Sequence, residues 1–154
     1  MNLHPSLLPD YKGCFSVPWA LINGETVTGV TFHEIAPSVD TGLVLAAYEE
    51  LILPHDTAFS LYARLNGIFA SNFLHVLQSY IAGRVTPINQ EGLTKRYYPR
   101  KLPFNGMIDL TWDIKKESNL FSIFFEQKFS INGVGIKKHI RYHNFRSSTL
   151  DKNG

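Results

Sequence analysis

Apolar residues recur at steps of three and four through the middle of the chain: Ala58, Leu61, Tyr62, Leu65, Ile68, Phe69, Phe73, Val76, Leu77 and Tyr80. That period predicts one long helix whose wide apolar stripe lies against a sheet. Asp56 or Thr57 offers the N-cap and Gly83 the C-cap. All ten apolar residues are expected in the core, with His75 structural beside them. Upstream, the pattern is that of strands. Gly29 to Ile35 is rich in β-branched and aromatic residues, and Leu43 to Leu53 is apolar up to Ala47 before Glu49 and Glu50 enter it. The loop between them is Ala36-Pro37-Ser38-Val39-Asp40-Thr41-Gly42. Leu7 to Gly13 reads as another loop. Ser16 is expected to cap a short helix through Trp19 and Ile22, with Pro18 in its first turn and Asn23-Gly24 as its end. After Gly83 the pattern weakens to a short strand in Val85 to Gln90, a basic and aromatic connection from Arg96 to Pro103, and a helix start or strand end at Asp109 to Asp113.

The 154 residues suffice for one domain with a real core. A formal charge of +2 gives no argument for nucleic acid or an anionic membrane. The charge is unevenly placed: there are 7 Lys and Arg against 10 Asp and Glu up to Asp113, and 8 against 3 from Ile114 to Gly154. The last segment therefore reads as a cationic tail without helical period. Cys14 is the single cysteine and cannot form an internal disulfide, which fits a reducing cytoplasm. No run of apolar residues is long enough to span a bilayer and no basic-then-apolar leader is present, so a cytoplasmic protein without a membrane partner is expected.

Chemistry concentrates at the amino terminus, in Asn2-Leu3-His4-Pro5-Ser6-Leu7-Leu8-Pro9. Residues two apart on an extended segment project to the same side, so the Asn2 amide and the His4 imidazole can converge on one small group. Pro5 keeps His4 out of the helical region. A frayed terminus followed by a proline-rich turn explains the same residues. His4, His33 and Asp40 fit no common zinc-ligand spacing, and no metal is expected.

Several stretches in order resemble the formyltransferases that use 10-formyltetrahydrofolate. They are Asn2 to Pro9, Tyr11-Lys12-Gly13, Pro18-Trp19-Ala20, Asn23-Gly24-Glu25, Thr28-Gly29-Val30-Thr31 and Asp40-Thr41-Gly42. Arg96-Tyr97-Tyr98, Arg100 to Gly106 and Ile108-Asp109 look most like the members that formylate the amine of a nucleotide-linked amino sugar. Methionyl-tRNA formyltransferase is the alternative, and tRNA the one nucleic-acid partner it would bring. The resemblance implies Asn2, His4 and Asp40 as the catalytic trio, and 10-formyltetrahydrofolate as co-substrate. Thr41 and Gly42 would shape the folate side of the site, with Gly42 free to take a positive φ. Tyr97, Tyr98, Arg100 and Lys101 are substrate-binding candidates, although a purely structural connection accounts for them equally. Formyl transfer to an amine needs a donor for the negative charge on the formyl oxygen and an acceptor for the proton leaving nitrogen. An amide, an imidazole and a carboxylate supply both.

The implied fold is α/β: an incomplete Rossmann-like sheet with one long helix, followed by a poorly defined C-terminal extension. Residues 1–85 would be the second half of the catalytic domain, 86–113 a connection and 114–154 an atypical basic tail. The sheet half preceding Asn2 in such enzymes is absent, so the chain is expected to be a fragment. It would be completed by a separately encoded half, or be an inactive remnant or a non-catalytic binding module. Its strands, parallel in such a sheet, would expose an edge and an apolar face.

Overall fold

The computed structural model describes residues 1–91, 96–101, 111–112, 116–117 and 119–120. The expected elements in Leu102 to Leu110, and nearly all of the basic tail, lie outside the described residues. A three-stranded sheet forms from β1 (Asn2–His4), β3 (Val27–His33) and β4 (Val44–Leu51), in the order β1-β3-β4. Both pairings are antiparallel, which corrects the expectation of parallel strands. Alternation within a strand identifies its two faces but carries no information on the direction of its neighbour. A second, two-stranded sheet pairs β2 (Lys12–Gly13) in parallel with β5 (Tyr97–Tyr98). The short strand expected in Val85 to Gln90 is reduced to a single bridge, Ile88 to Val44.

The alternation of β3 divides the sheet chemically. Val30 and Phe32 turn toward the core, whereas Thr31 and His33 turn the other way, and all four are buried. The core joins Val30, Phe32 and Leu45 to Val17, Leu21 and Ile22 of α1 (Ser16–Ile22) and to Ala58, Leu61, Leu65 and Val76 of α2 (Ala58–Ile81). Phe32 meets Phe69 and Tyr48 edge to face, the arrangement that aligns a ring edge with a π face. Of the ten residues expected inside from α2, Phe73 is exposed, as is His75.

The helix ends follow local chemistry. Thr57 caps α2 in a reciprocal capping box with Ser60, and Gly83, at φ 65°, follows its last turn. Ser16 is not the cap of α1 as expected. Phe15 occupies that position, and the Ser16 hydroxyl instead donates to the Pro5 carbonyl at 2.9 Å, tying α1 to the segment after β1. Among the described residues, no helix is long and apolar enough to cross a membrane.

Candidate active site

Antiparallel pairing sets Asn2 opposite His33 and His4 opposite Thr31, which places all four side chains on the face of the sheet away from α2. A register shift between Phe32 and His33, where β4 has Val44 and then Ala46 as partners, ends the regular ladder beside the site. Thr31 fixes the chain leaving β1. Its hydroxyl donates to the Ser6 carbonyl at 2.6 Å and accepts from the Leu8 N–H at 3.1 Å.

Asp40 arrives from the loop between β3 and β4. Its own backbone takes the left-handed conformation, at φ 52°, whereas Gly42 does not, contrary to expectation. Gly42 is required for space: a Cβ there would overlap the Glu34 carbonyl. Gln90, buried, donates to the carbonyls of both Asp40 and Gly42. The loop thus holds the Asp40 carboxylate 3.4 Å from His4 Nδ1 and 3.6 Å from His33 Nε2, while the Gly13 N–H donates to it at 2.8 Å.

Backbone carbonyls assign the protons on both imidazoles. His4 Nε2 lies 2.8 Å from the Tyr11 carbonyl, which only accepts, so Nε2 carries the hydrogen and Nδ1 presents its lone pair toward Asp40. His33 Nδ1 lies 2.7 Å from the Glu34 carbonyl, leaving Nε2 to accept from the Asn2 amide at 3.1 Å. Burial lowers the His4 pKa below 6.5, against the opposing pull of the Tyr11 carbonyl and Asp40. Burial alone would raise the Asp40 carboxyl, but His33 in its protonated form, the Gly13 N–H and protonated His4 outweigh it and hold it below its ordinary value. The arrangement couples a neutral base to an ionised carboxylate, with one amide hydrogen of Asn2 left over. Among the described residues no group of three His, Cys, Asp or Glu side chains is placed to hold a metal ion. In this cluster each imidazole already commits one nitrogen to a carbonyl.

An open cavity of about 330 Å³ adjoins the cluster, lined by Asn2, His33, Asp40 and the loop from Ile35 to Val39. Ile35 and Val39 are 78% and 57% exposed and give it an apolar rim. Thr41 and Gly42 do not border it; the Thr41 hydroxyl turns to the Ser38 carbonyl. Nor do the four candidates near β5. Tyr98 is stacked on Tyr11 at 4.7 Å and tilted against Trp19 at 4.8 Å, and its hydroxyl accepts from Asn23. Tyr97 crosses Gly13 and is largely exposed, as are Arg100 and Lys101. Sequence reasoning weighs His33 only as a zinc ligand and not as a partner of Asn2, and it misses Gln90 and the two backbone groups at Tyr11 and Gly13. A histidine closing the Thr28-Gly29-Val30-Thr31 strand was the available signal for the first; the others become visible only in three dimensions.

Residues 1–77 match the family described as formyl transferase. The chain belongs to the formyl transferase family. It is 36% identical over 126 residues to GDP-perosamine N-formyltransferase of Brucella melitensis biotype 1, a match covering 81% of this chain and 48% of that protein. It is 34% identical over 143 residues to the bifunctional polymyxin resistance protein ArnA of Wigglesworthia glossinidia brevipalpis, covering 84% of this chain and 22% of that one. The N-formyltransferase from Helicobacter canadensis, in complex with folinic acid and dTDP-3-aminofucose, superposes with a TM-score of 0.75 at 28% identity, over 83% of this chain and 48% of that one. This formyl transferase family member therefore spans about half the length of the Brucella relative. The shared fold accounts for the α/β class and for the long helix α2.

Proposed function

We propose that this chain carries the reacting-group site of an enzyme that transfers a formyl group from 10-formyltetrahydrofolate to the primary amine of a nucleotide-linked amino sugar. The observation that carries this reading is the convergence of Asn2, His33 and Asp40 from three separate segments on one open cavity, with the buried His4 behind them against Asp40. The sugar-enzyme names of the relatives supply the acceptor class, and the tRNA alternative finds no support among those relatives. A cavity of about 330 Å³ with an apolar rim fits one flat ring system beside the polar cluster rather than a whole folate.

The folate supplies the activated formyl carbon. Asn2, with one amide hydrogen on His33 Nε2, directs the other at the formyl oxygen as negative charge grows there. His33 holds that amide in place through its own bond to the Glu34 carbonyl. The proton leaving the attacking amine enters the His4–Asp40 pair and is returned to N10 of the folate as the bond from N10 to the formyl carbon breaks, which releases tetrahydrofolate. In that pair a bare Nδ1 and a carboxylate oxygen stand 3.4 Å apart, both acceptors, and a proton between them relieves their repulsion. Thr41 and Gly42 shape the loop that delivers Asp40. Tyr97, exposed in β5, and Arg100 and Lys101, exposed beyond it, are the part of the connection available to the nucleotide, while Tyr98 packs the loop from behind.

The test is formyl transfer by the purified protein to a nucleotide-linked amino sugar, followed by release of tetrahydrofolate. Asn2→Ala is expected to lower turnover by about 10²- to 10³-fold with little change in KM for the amine. Absence of transfer by the wild type, or equal turnover by the variant, overturns the reading.

A further inference from the structure

We propose that Arg96, more than fifty residues beyond Asp40 in sequence, is a positioning residue for the His4–Asp40 pair; this rests on the site reading above. The pair depends on two backbone groups of one short loop, the Tyr11 carbonyl on His4 Nε2 and the Gly13 N–H on Asp40. That loop is unusual in its backbone. Tyr11 at φ 57° and Gly13 at φ 95° both take the left-handed region, which a tyrosine adopts only when its surroundings hold it there.

Arg96 is what grips it. The guanidinium meets Asp10 through two nitrogens, Nε at 3.0 Å and Nη2 at 2.9 Å, a fork-to-carboxylate geometry that a lysine cannot copy. Its Nη1 donates to Glu25 at 3.0 Å, and Glu25 in turn accepts the Tyr11 hydroxyl. The same guanidinium lies 4.7 Å over the Tyr11 ring, whose other partner is the stacked ring of Tyr98. The Arg96 carbonyl accepts the Lys12 N–H at 3.0 Å, and the Tyr98 carbonyl accepts that of Cys14 at 2.9 Å. Residues on both sides of Tyr11 and Gly13 are therefore fixed from β5 and the residue before it. Asp10 is held below the ordinary carboxylate range chiefly by its hydrogen bonds to Arg96, so the grip persists across the neutral range.

The consequence for chemistry is specific. With the loop in place, the Tyr11 carbonyl forces the hydrogen of neutral His4 onto Nε2 and leaves Nδ1 facing Asp40. With the loop released, the Asp40 carboxylate beside Nδ1 competes for that hydrogen, and population of the Nδ1–H form removes the free acceptor without altering the core between the sheet and α2.

Long-range proton–nitrogen correlation spectra of the full chain, with 15N in the histidine rings, read this directly. In the wild type His4 is expected as the Nε2–H tautomer. In Arg96→Met, with the amide spectrum of α2 unchanged, His4 is expected to show mixed tautomers, and Arg96→Lys is not expected to restore the single form. Removing a distant positive charge would shift the His4 titration but not its tautomer, so the tautomer is the deciding signal. An unchanged Nε2–H form in folded Arg96→Met overturns the proposal. If that variant does not fold, the milder Asp10→Asn takes its place: mixed tautomers support the clamp, and an unchanged Nε2–H form overturns it. Loss of turnover in Asn2→Ala together with an unmoved His4 in Arg96→Met would leave the site reading standing and remove only the role of Arg96.

Discussion

His33 shows how much a single side chain does at this site. It borders both the group that would bind the formyl oxygen and the carboxylate that would help take the proton, and its orientation is set by one bond to the Glu34 carbonyl. Replacing it by alanine removes the acceptor for the Asn2 amide but leaves the amide itself. The loss should therefore be that of one positioning hydrogen bond, about 10-fold in turnover, rather than that of deleting Asn2. A His33→Ala enzyme as slow as Asn2→Ala would mean that His33 itself meets the substrate. His4 gives a second expectation. A base must be neutral to accept a proton, and burial lowers the His4 pKa below 6.5. The rate at low substrate should fall with acid along a limb whose inflection lies below 6.5, measured as kcat/KM against pH. An inflection above 6.5 would contradict a buried, neutral His4.

At the scale of elements, α2 is the scaffold against which the sheet is laid, and its first turn is held by charge as well as by its cap. Arg64 donates to Asp56 through two nitrogens at 2.6 Å and to Glu50 of β4, joining helix to sheet. Asp56 is buried and lies well below the ordinary carboxylate range, first because of Arg64 and with help from Ser60 and the Leu53 N–H. Arg64→Met would strand that carboxylate with its two neutral donors. A loss of about 2 kcal/mol is expected, read from denaturant midpoints. The helix itself was legible in sequence, from Thr57 to Gly83, because its period and its ends are local properties of neighbouring residues. Asn2 and His4 were legible for the same reason: parity on an extended chain settles which side they share. Strand direction, the register shift at His33, the Gln90 bridge and the Arg96 clamp were not legible, since each is decided by residues far apart in sequence. Ser16 illustrates the boundary between the two. Its identity as a helix-start residue was correct, but a longer-range acceptor, the Pro5 carbonyl, claimed its hydroxyl.

Over the described residues, the perturbed groups that titrate between neutral pH and acid act in one direction. Asp10, Asp40 and Asp56 have folded pKa values below the ordinary 3.8, and His4 lies below 6.5. In each case the unfolded chain holds its proton more tightly than the folded one. Acid therefore favours unfolding, and the stability each group contributes is present above its unfolded pKa and lost as pH falls through the folded value. The histidine and the carboxylates do so in separate windows. His4 begins to cost stability just below pH 6.5, where the carboxylates are still fully ionised, and the carboxylates follow near and below 3.8. Thermal unfolding midpoints should accordingly be level between about pH 7 and 8, decline gently toward about pH 5, and drop steeply only in stronger acid. His4→Gln separates the two contributions, because a glutamine amide can still donate to the Tyr11 carbonyl but cannot titrate. The variant should lose the gentle limb and keep the steep one. A gentle limb that survives in His4→Gln would assign it to another group and remove the argument that His4 is held neutral by burial.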